Sequence, residues 1–303
     1  TLFPYTTLFR SAKETLPEHL VIIGGGYIAV EFATTYAQFG AKVTLLVRDD
    51  RLLPQVESEA VTAVTESLTD LGVEIRYQTQ VVEMTDEGDH TVLSLVANDE
   101  PVAPLTADAV LIATGRRPNI ANLGLENTDI AVENGAVVVD DHLRTTVDNV
   151  WAVGDVRGGA QFTYISLDDS RIVWQQLFGD GKATLAQQDL VPHVLFTNPP
   201  LATIGLTEAQ AEAKNIAYRV AKLPVASLPK THIEGNTRGY LKVLVGEDDL
   251  ILGATFFAVE AQELINVISL AMHHKLPYQA LRDQIYSHPS MMEGFNDLFG
   301  LIQ

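Results

Sequence analysis

The chain contains no cysteine, so no disulfide, thiolate nucleophile or cysteine-based metal site can form within its 303 residues. Positive charge is scarce: 20 Lys and Arg stand against 39 Asp and Glu, a formal net charge of -19. A field of that sign repels nucleic acids and anionic membrane surfaces, and neither is expected as a partner. No apolar run approaches the ~20 residues that span a bilayer, and the first residues lack the charged-then-apolar layout of a secretory signal. A cytoplasmic location is the resulting expectation. There is no internal repeat and no low-complexity tract. What remains is a globular composition, 47% hydrophobic, long enough for two or three cored domains. A small molecule held by a few local cations is the partner such a chain expects.

Residues 1–11 (TLFPYTTLFRS) read as the translation of a sequencing-library adapter rather than as protein, with 12–18 as a linker. On that reading the chain is a fragment, and an unknown length of protein precedes Ala12.

The most informative stretch is 21–33, VIIGGGYIAVEFA, an apolar run that breaks at glycines and resumes with helical spacing. Gly24 and Gly26 occupy the first two glycine positions of a G-x-G-x-x-G/A fingerprint, and Ala29 the third, where a small residue lets helix and strand pack closely. The turn points backbone N–H groups and the positive end of a helix dipole at one spot, which suits a pyrophosphate. A bare glycine pattern also arises in incidental tight turns. The apolar strand at 42–47 (KVTLLV), after a helix ending near Gly40, supplies the βαβ context that the fingerprint requires.

Further on, Val61, Val64, Leu68 and Leu71 share one face of a helix over 57–71, stopped by Gly72. A strand at 73–76, a β meander over 81–84 and 91–97, and a buried strand at 108–115 complete a nucleotide-binding domain at 19–117. A second strand and turn falls at 149–155 (NVWAVGD), where Asp155 at its simplest caps a turn. A helix follows over about 166–178, with Asp168 and Asp169 as an acidic start. From Pro192 the pattern changes to antiparallel strands at 217–225, 240–245 and 251–259, plus a helix presenting Ala261, Leu264, Ile265, Ile268 and Met272 on one face. This is an α+β domain. His273 and His274 are adjacent on that helix, point in different directions and form no metal pair; no metal site is predicted.

Four motifs coincide in order: GGGYIAVE at 24–31, ATGRRPN at 113–119, AVGD at 152–155 and HPSMME at 288–293. Together they resemble the pyridine nucleotide-disulfide oxidoreductases, the family of glutathione reductase, dihydrolipoamide dehydrogenase and mercuric reductase, from about Leu16 to the C-terminus. FTYISLDD at 162–169 and LRDQIY at 281–286 look most like the bacterial branch described as copper(II) or hypothiocyanous acid reductases. The resemblance implies an α/β fold with a Rossmann-like NAD(P)H-binding domain (19–117), a partial FAD-binding domain (118–187) and a C-terminal α+β dimerisation domain (188–303). The family's first FAD-binding βαβ unit and its Cys-x4-Cys redox pair have no counterpart in this chain. The implied activity passes hydride from NAD(P)H through FAD and the missing cysteine pair to a disulfide, metal ion or small oxidant, in a homodimer. The alternative is a nucleotide-binding, dimerising module without turnover. A ferredoxin-reductase-like electron-transfer protein is disfavoured by the His-Pro-x3-Glu ending and the antiparallel domain.

The resemblance also implies residue roles. Gly24, Gly26, Ile28 and Ala29 hold the NAD(P)H pyrophosphate region, Tyr27 gates the flavin, and Glu31 lies near the nicotinamide, unpaired because its usual lysine partner is missing. Gly115, Arg116, Gly154 and Asp155 belong to the cofactor sites, with Asp155 on the FAD ribityl chain. Phe162 and Thr163 open a helix facing the flavin C2 carbonyl, where a dipole stabilises anionic reduced flavin. His288 and Glu293 form the catalytic pair: the imidazole exchanges a thiol proton and the carboxylate fixes its tautomer. Cofactor choice is read from the end of the second strand. An NAD enzyme presents an acidic residue there, whereas this chain has Val47 followed by Arg48, with Arg51 close by. A 2′-phosphate suits those guanidiniums, so NADPH is expected, with NADH as the alternative. The plainer reading makes both arginines solvated charges paired with Asp49 and Asp50.

Overall fold

The computed structural model describes residues 15–303, so the adapter-like stretch 1–11 and residues 12–14 lie outside the described residues. The chain forms two compact units, one holding the residues up to Thr114 together with Pro192–Gln303 and the other Gly115–Val191.

The first unit begins with a βαβ motif: β1 (His19–Ile23), α1 (Tyr27–Gln38) and β2 (Lys42–Leu46). Helix α2 (Ser58–Asp70) crosses to β3 (Glu74–Arg76), as the spacing of Val61, Val64 and Leu68 predicts. An antiparallel three-stranded sheet of β4 (Thr79–Asp86), β5 (Thr91–Ala97) and β6 (Glu100–Ala107) intervenes before β7 (Ala109–Ile112). The parallel sheet has the order β3-β2-β1-β7. Strand alternation divides its side chains between two cores. Ile22 and Leu45 face Ala29, Val30, Ala33, Val64 and Leu68 of the helices, whereas Val21 and Leu46 face Leu93, Leu95 and Ala107 of the three-stranded sheet.

Two expectations change here. The meander has a third strand, β6, which Pro101 and Pro104 conceal in the sequence; it lies at the edge of its sheet, where a residue without an N–H is tolerated. The strand at 108–115 is shorter than expected and not buried throughout: β7 is the sheet's edge, and Ile112 is 61% exposed.

In the second unit, β8 (Val132–Glu133) pairs with β9 (Ala136–Val137), and α3 (Thr163–Phe178) is its one long helix among the described residues. The strand expected at 149–155 is reduced to a single bridge, Arg144 to Trp151, followed by a 3-10 turn, Gly154–Arg157. Helix α3 starts at Thr163, earlier than the acidic start at Asp168 and Asp169 suggests, so no acidic residue occupies its first turn.

The remainder of the first unit is a five-stranded antiparallel sheet, order β10-β11-β14-β13-β12. Its strands are β10 (His193–Leu195), β11 (Leu201–Gly205), β12 (Tyr218–Pro224), β13 (Tyr240–Gly246) and β14 (Ile251–Phe257). The helices here are α4 (Glu208–Ala213), α5 (Pro229–Ile233), α6 (Ala261–His273), α7 (Gln279–Arg282) and α8 (Gly294–Gly300). Ala261, Leu264, Ile265 and Ile268 of α6 are buried as predicted. Strands β10 and β11 escape the sequence pattern because they are short and are separated by the Pro199-Pro200 pair. Leu195, Leu201, Tyr240 and Phe257 share one core with α1 and α2, which makes the two sequence segments of this unit a single body. No helix among the described residues is long and apolar enough to cross a membrane.

Candidate functional site

The glycine turn between β1 and α1 divides its labour. Gly24 has φ +137°, and a Cβ there would lie 2.3 Å from the Ala113 carbonyl oxygen at the end of β7. Its N–H donates to the Leu46 carbonyl at 2.9 Å, so this glycine joins three strand ends. Gly26 is different: a Cβ would meet nothing within 4 Å. It is the N-cap of α1, and no side chain caps the helix. An open approach to the head of a helix is what a pyrophosphate oxygen needs, so these residues fit a dinucleotide. Ala29 is fully buried, as close packing of helix on strand requires, while Tyr27 and Ile28 are half-buried. Burial, reinforced by the Glu31 charge, pushes the Tyr27 phenol above its ordinary range.

Glu31 is not unpaired as expected. Its Oε1 accepts a 2.9 Å hydrogen bond from the Phe196 backbone N–H, so a segment from the C-terminal part of the unit supplies a partner for it. The two arginines after β2 separate in character. Arg51 donates to the Val56 carbonyl at 2.7 Å and the Ser58 hydroxyl at 3.2 Å, which commits it to organising its own loop. Arg48 is 74% exposed and has an Asp49 carboxylate at 3.4 Å, a solvated pair worth little. Arg48 is therefore the more available cation.

In the second unit, Arg116 donates through Nη1 to Asp155 Oδ2 at 3.3 Å and through Nη2 to the Gln161 carbonyl. Gly115, beside it, is exposed. Gly154 carries the left-handed conformation, φ +73°, and opens the 3-10 turn that presents Asp155. Phe162 stacks on Tyr164 with ring centroids 4.9 Å apart, and no side chain caps α3 at Thr163. A half-exposed carboxylate and a helix head without a side-chain cap suit the hydroxyls and carbonyl of a flavin.

Sequence reasoning missed the network beneath this turn. Asp169 is completely buried, and its carboxylate accepts from the Gly154 N–H, from Arg157 Nε and Nη2, and from Gln188 Nε2. Burial alone would raise the Asp169 pKa, but the bonds from Arg157, Gln188 and Gly154 hold it below the ordinary carboxylate range. A depressed folded-state pKa stabilises the fold above the unfolded aspartate value, ~3.9, and that contribution is lost as pH falls through the lower value. The thermal stability advantage of the wild type over Asp169→Asn is accordingly expected to hold near neutrality and to shrink below about pH 4. An advantage independent of pH would show that the charge is not what stabilises.

At the C-terminal end of the first unit, His288 Nδ1 lies 2.7 Å from Glu293 Oε2. Glu293 Oε1 accepts from the Ser290 N–H at 3.1 Å, and the Glu293 N–H donates to Ser290 Oγ at 3.2 Å. This local box orients the carboxylate toward the ring. The His288 bond holds the Glu293 carboxyl below its ordinary pKa. The His288 ring is 68% exposed, and its Nδ1 is the nitrogen that Glu293 engages. No group of three or more His, Asp or Glu among the described residues is arranged to hold a metal.

Comparison with known proteins bears directly on these sites. Residues 5–170 match the family described as pyridine nucleotide-disulphide oxidoreductase, and residues 191–299 match that family's dimerisation domain. The chain belongs to the pyridine nucleotide-disulphide oxidoreductases, which are FAD-dependent and use NAD(P)H. It is 45% identical over 290 residues to the probable pyridine nucleotide-disulfide oxidoreductase RclA of Escherichia coli K12, covering 95% of this chain and 65% of that protein. It is 33% identical over 298 residues to the mercuric reductase of Shigella flexneri, covering 96% of this chain and 51% of that protein. Among solved structures, the HOCl-induced flavoprotein disulfide reductase RclA from Escherichia coli matches with a TM-score of 0.90 at 43% identity, covering 96% of this chain and 66% of that one. The chain thus spans less than two thirds of the length of these relatives.

Proposed function

We propose that this chain is the NADPH-binding and dimerising portion of an FAD-dependent oxidoreductase of the RclA kind, whose acceptor is a disulfide, a metal ion or a small oxidant. The observation that carries the reading is the open Gly26 turn at the head of α1, with Arg48 exposed just beyond β2. In this reading Gly24, Gly26, Ile28 and Ala29 shape the pyrophosphate site, Tyr27 and Glu31 border the nicotinamide, and Arg48 binds the 2′-phosphate while Arg51 holds the loop. Gly115, Arg116, Gly154, Asp155, Phe162 and Thr163 form a flavin subsite in the second unit. FAD, when bound, supplies the two-electron store between nicotinamide and acceptor. His288, oriented by Glu293, moves a proton at Nε2 for the acceptor, and residues 188–303 pair two protomers. The chain contains no thiol, so it carries no dithiol relay of its own, and the isolated 303 residues act as a nucleotide-binding, dimerising module.

Calorimetric titration of the purified chain with NADPH, NADH and FAD tests this, alongside its sedimentation and its NADPH-dependent reduction of an artificial acceptor. Binding of NADPH and FAD by a dimer is expected, with NADPH favoured over NADH. Arg48→Ala is expected to weaken NADPH about tenfold, the loss of one charge-assisted bond, and to leave NADH unchanged. Equal effects on both nucleotides would remove the argument for NADPH; a chain that binds neither nucleotide would remove the reading.

A further inference from the structure

The buried face of α3 is made by Ile165, Asp169 and Ile172, a spacing of one helical stripe on which an apolar side chain is the default. Asp169 interrupts that stripe with a charge that is 0% exposed. A buried ion pair is a poor stabiliser, because desolvation offsets its attraction and an apolar pair of similar volume often serves as well. The position therefore calls for an explanation in geometry as well as in stability. What the carboxylate holds is specific. Oδ2 accepts the Gly154 N–H at 2.8 Å and Arg157 Nε at 2.6 Å; Oδ1 accepts Arg157 Nη2 and Gln188 Nε2, both at 2.9 Å. Gly154 and Arg157 are the two ends of the 3-10 turn that carries Asp155. The same turn rests on the helix: a Cβ at Gly154 would lie 2.8 Å from Ser166 Oγ, so glycine lets the backbone sit directly on α3.

We propose that Asp169, with Arg157 as its partner, is a positioning residue for the flavin subsite, clamping both ends of the Asp155 turn to the helix whose first residues, Phe162 and Thr163, form the subsite's other edge. The inference rests on the flavin reading of this unit given above. Asp169 does not touch the flavin; it sets where Asp155 stands relative to the head of α3. The planar fork of Arg157 matters, since it spans both carboxylate oxygens while a lysine offers a point charge. Gln188 closes the network by donating to Asp169 and Asp168 and accepting from Arg157.

The test measures FAD affinity, thermal midpoint and the visible circular dichroism of bound flavin on the full chain, for the wild type, the double variant D169L/R157M and R157K. The double variant replaces the pair with apolar side chains, so it leaves no unpaired buried charge; it strands the Gly154 N–H and one Gln188 donor and is expected to stay folded with a melting temperature lowered by a few degrees. It is nevertheless expected to bind FAD on the order of ten- to a hundredfold more weakly, as displaced binding groups do, with an altered dichroism spectrum. R157K is expected to fall between the two. FAD affinity and dichroism equal to wild type in the folded double variant would overturn the clamp while leaving the flavin reading standing. If the double variant does not fold, wild-type FAD affinity in R157K overturns it. A wild-type chain that binds no FAD refutes the flavin subsite and the clamp together.

Discussion

Replacing Lys242 with Ala is expected to cost about 3–5 kcal/mol of folding stability, the penalty for removing one partner of a buried charge network. Lys242 lies on β13 with only 2% of its surface exposed. Its ammonium is 2.5 Å from Glu57 Oε1, 2.7 Å from Glu208 Oε1 and 3.4 Å from Glu59 Oε2. Burial disfavours the charged lysine, yet the bonds to Glu208 and Glu57 hold its pKa above the ordinary range, so the ammonium stays charged. Without it, the three carboxylates keep one cation, Lys222, which bonds Glu59; Glu57 and Glu208 lose theirs, and Glu57 Oε2 already has no hydrogen-bond partner. The network reaches across the unit, because Glu57 and Glu59 begin α2 whereas Glu208 and Lys242 belong to the C-terminal sheet and its helix α4. Urea unfolding followed by linear extrapolation measures the loss. A triple variant that makes Glu57 and Glu208 into Gln beside Lys242→Met is expected to recover a large part of it, since neutral amides remove the repulsion. A loss below about 1 kcal/mol in the single variant would mean that water reaches the site and the charges are screened.

The second large effect is expected at Gly24. Gly24→Ala meets two obstacles: a backbone conformation that costs an L-residue about 1–3 kcal/mol, and a Cβ placed 2.3 Å from the Ala113 carbonyl oxygen. Backbone cannot rotate away as a side chain does, so β7 or the turn must shift. The total is expected at about 3 kcal/mol or more, with NADPH binding lost because the head of α1 moves with the turn. Gly26→Ala provides the contrast. At φ -89° and with nothing within 4 Å of the added Cβ, the fold has no objection. Its stability should change by no more than about 1 kcal/mol, the scale of an N-cap substitution. NADPH affinity should fall all the same, because the methyl enters the space proposed for pyrophosphate. Melting and NADPH titration of the two variants separate a glycine required by the fold from one required by a ligand. Equal stability losses in both would erase that distinction.

The contrast shows how far local pattern reaches. Apolar periodicity and glycine placement announce β1, α1, β2, α2, the β13–β14 hairpin and α6, because each is dictated by residues a few positions apart that must face one core. The His288–Glu293 pair was also visible, since both members and the Ser290 that orients the carboxylate fall within one short segment. Motif order over nearly the whole chain identified the family. Other features were not legible. Strand β6 hides behind its prolines and exists because β5 offers it an edge. Asp168 and Asp169 look like a helix start, yet the helix begins earlier and Asp169 turns inward to Arg157.

The sequence by itself determined the periodic elements, the glycine turn between β1 and α1, the absence of thiols and the family, all of which depend on near neighbours or on composition. Tertiary structure decided who pairs with whom. Glu31 finds Phe196 across 165 positions and Lys242 finds Glu57 across 185. Burying a charge such as Lys242 is tolerable only where another part of the chain delivers its partner at hydrogen-bond distance, and no local pattern reports which segment will arrive.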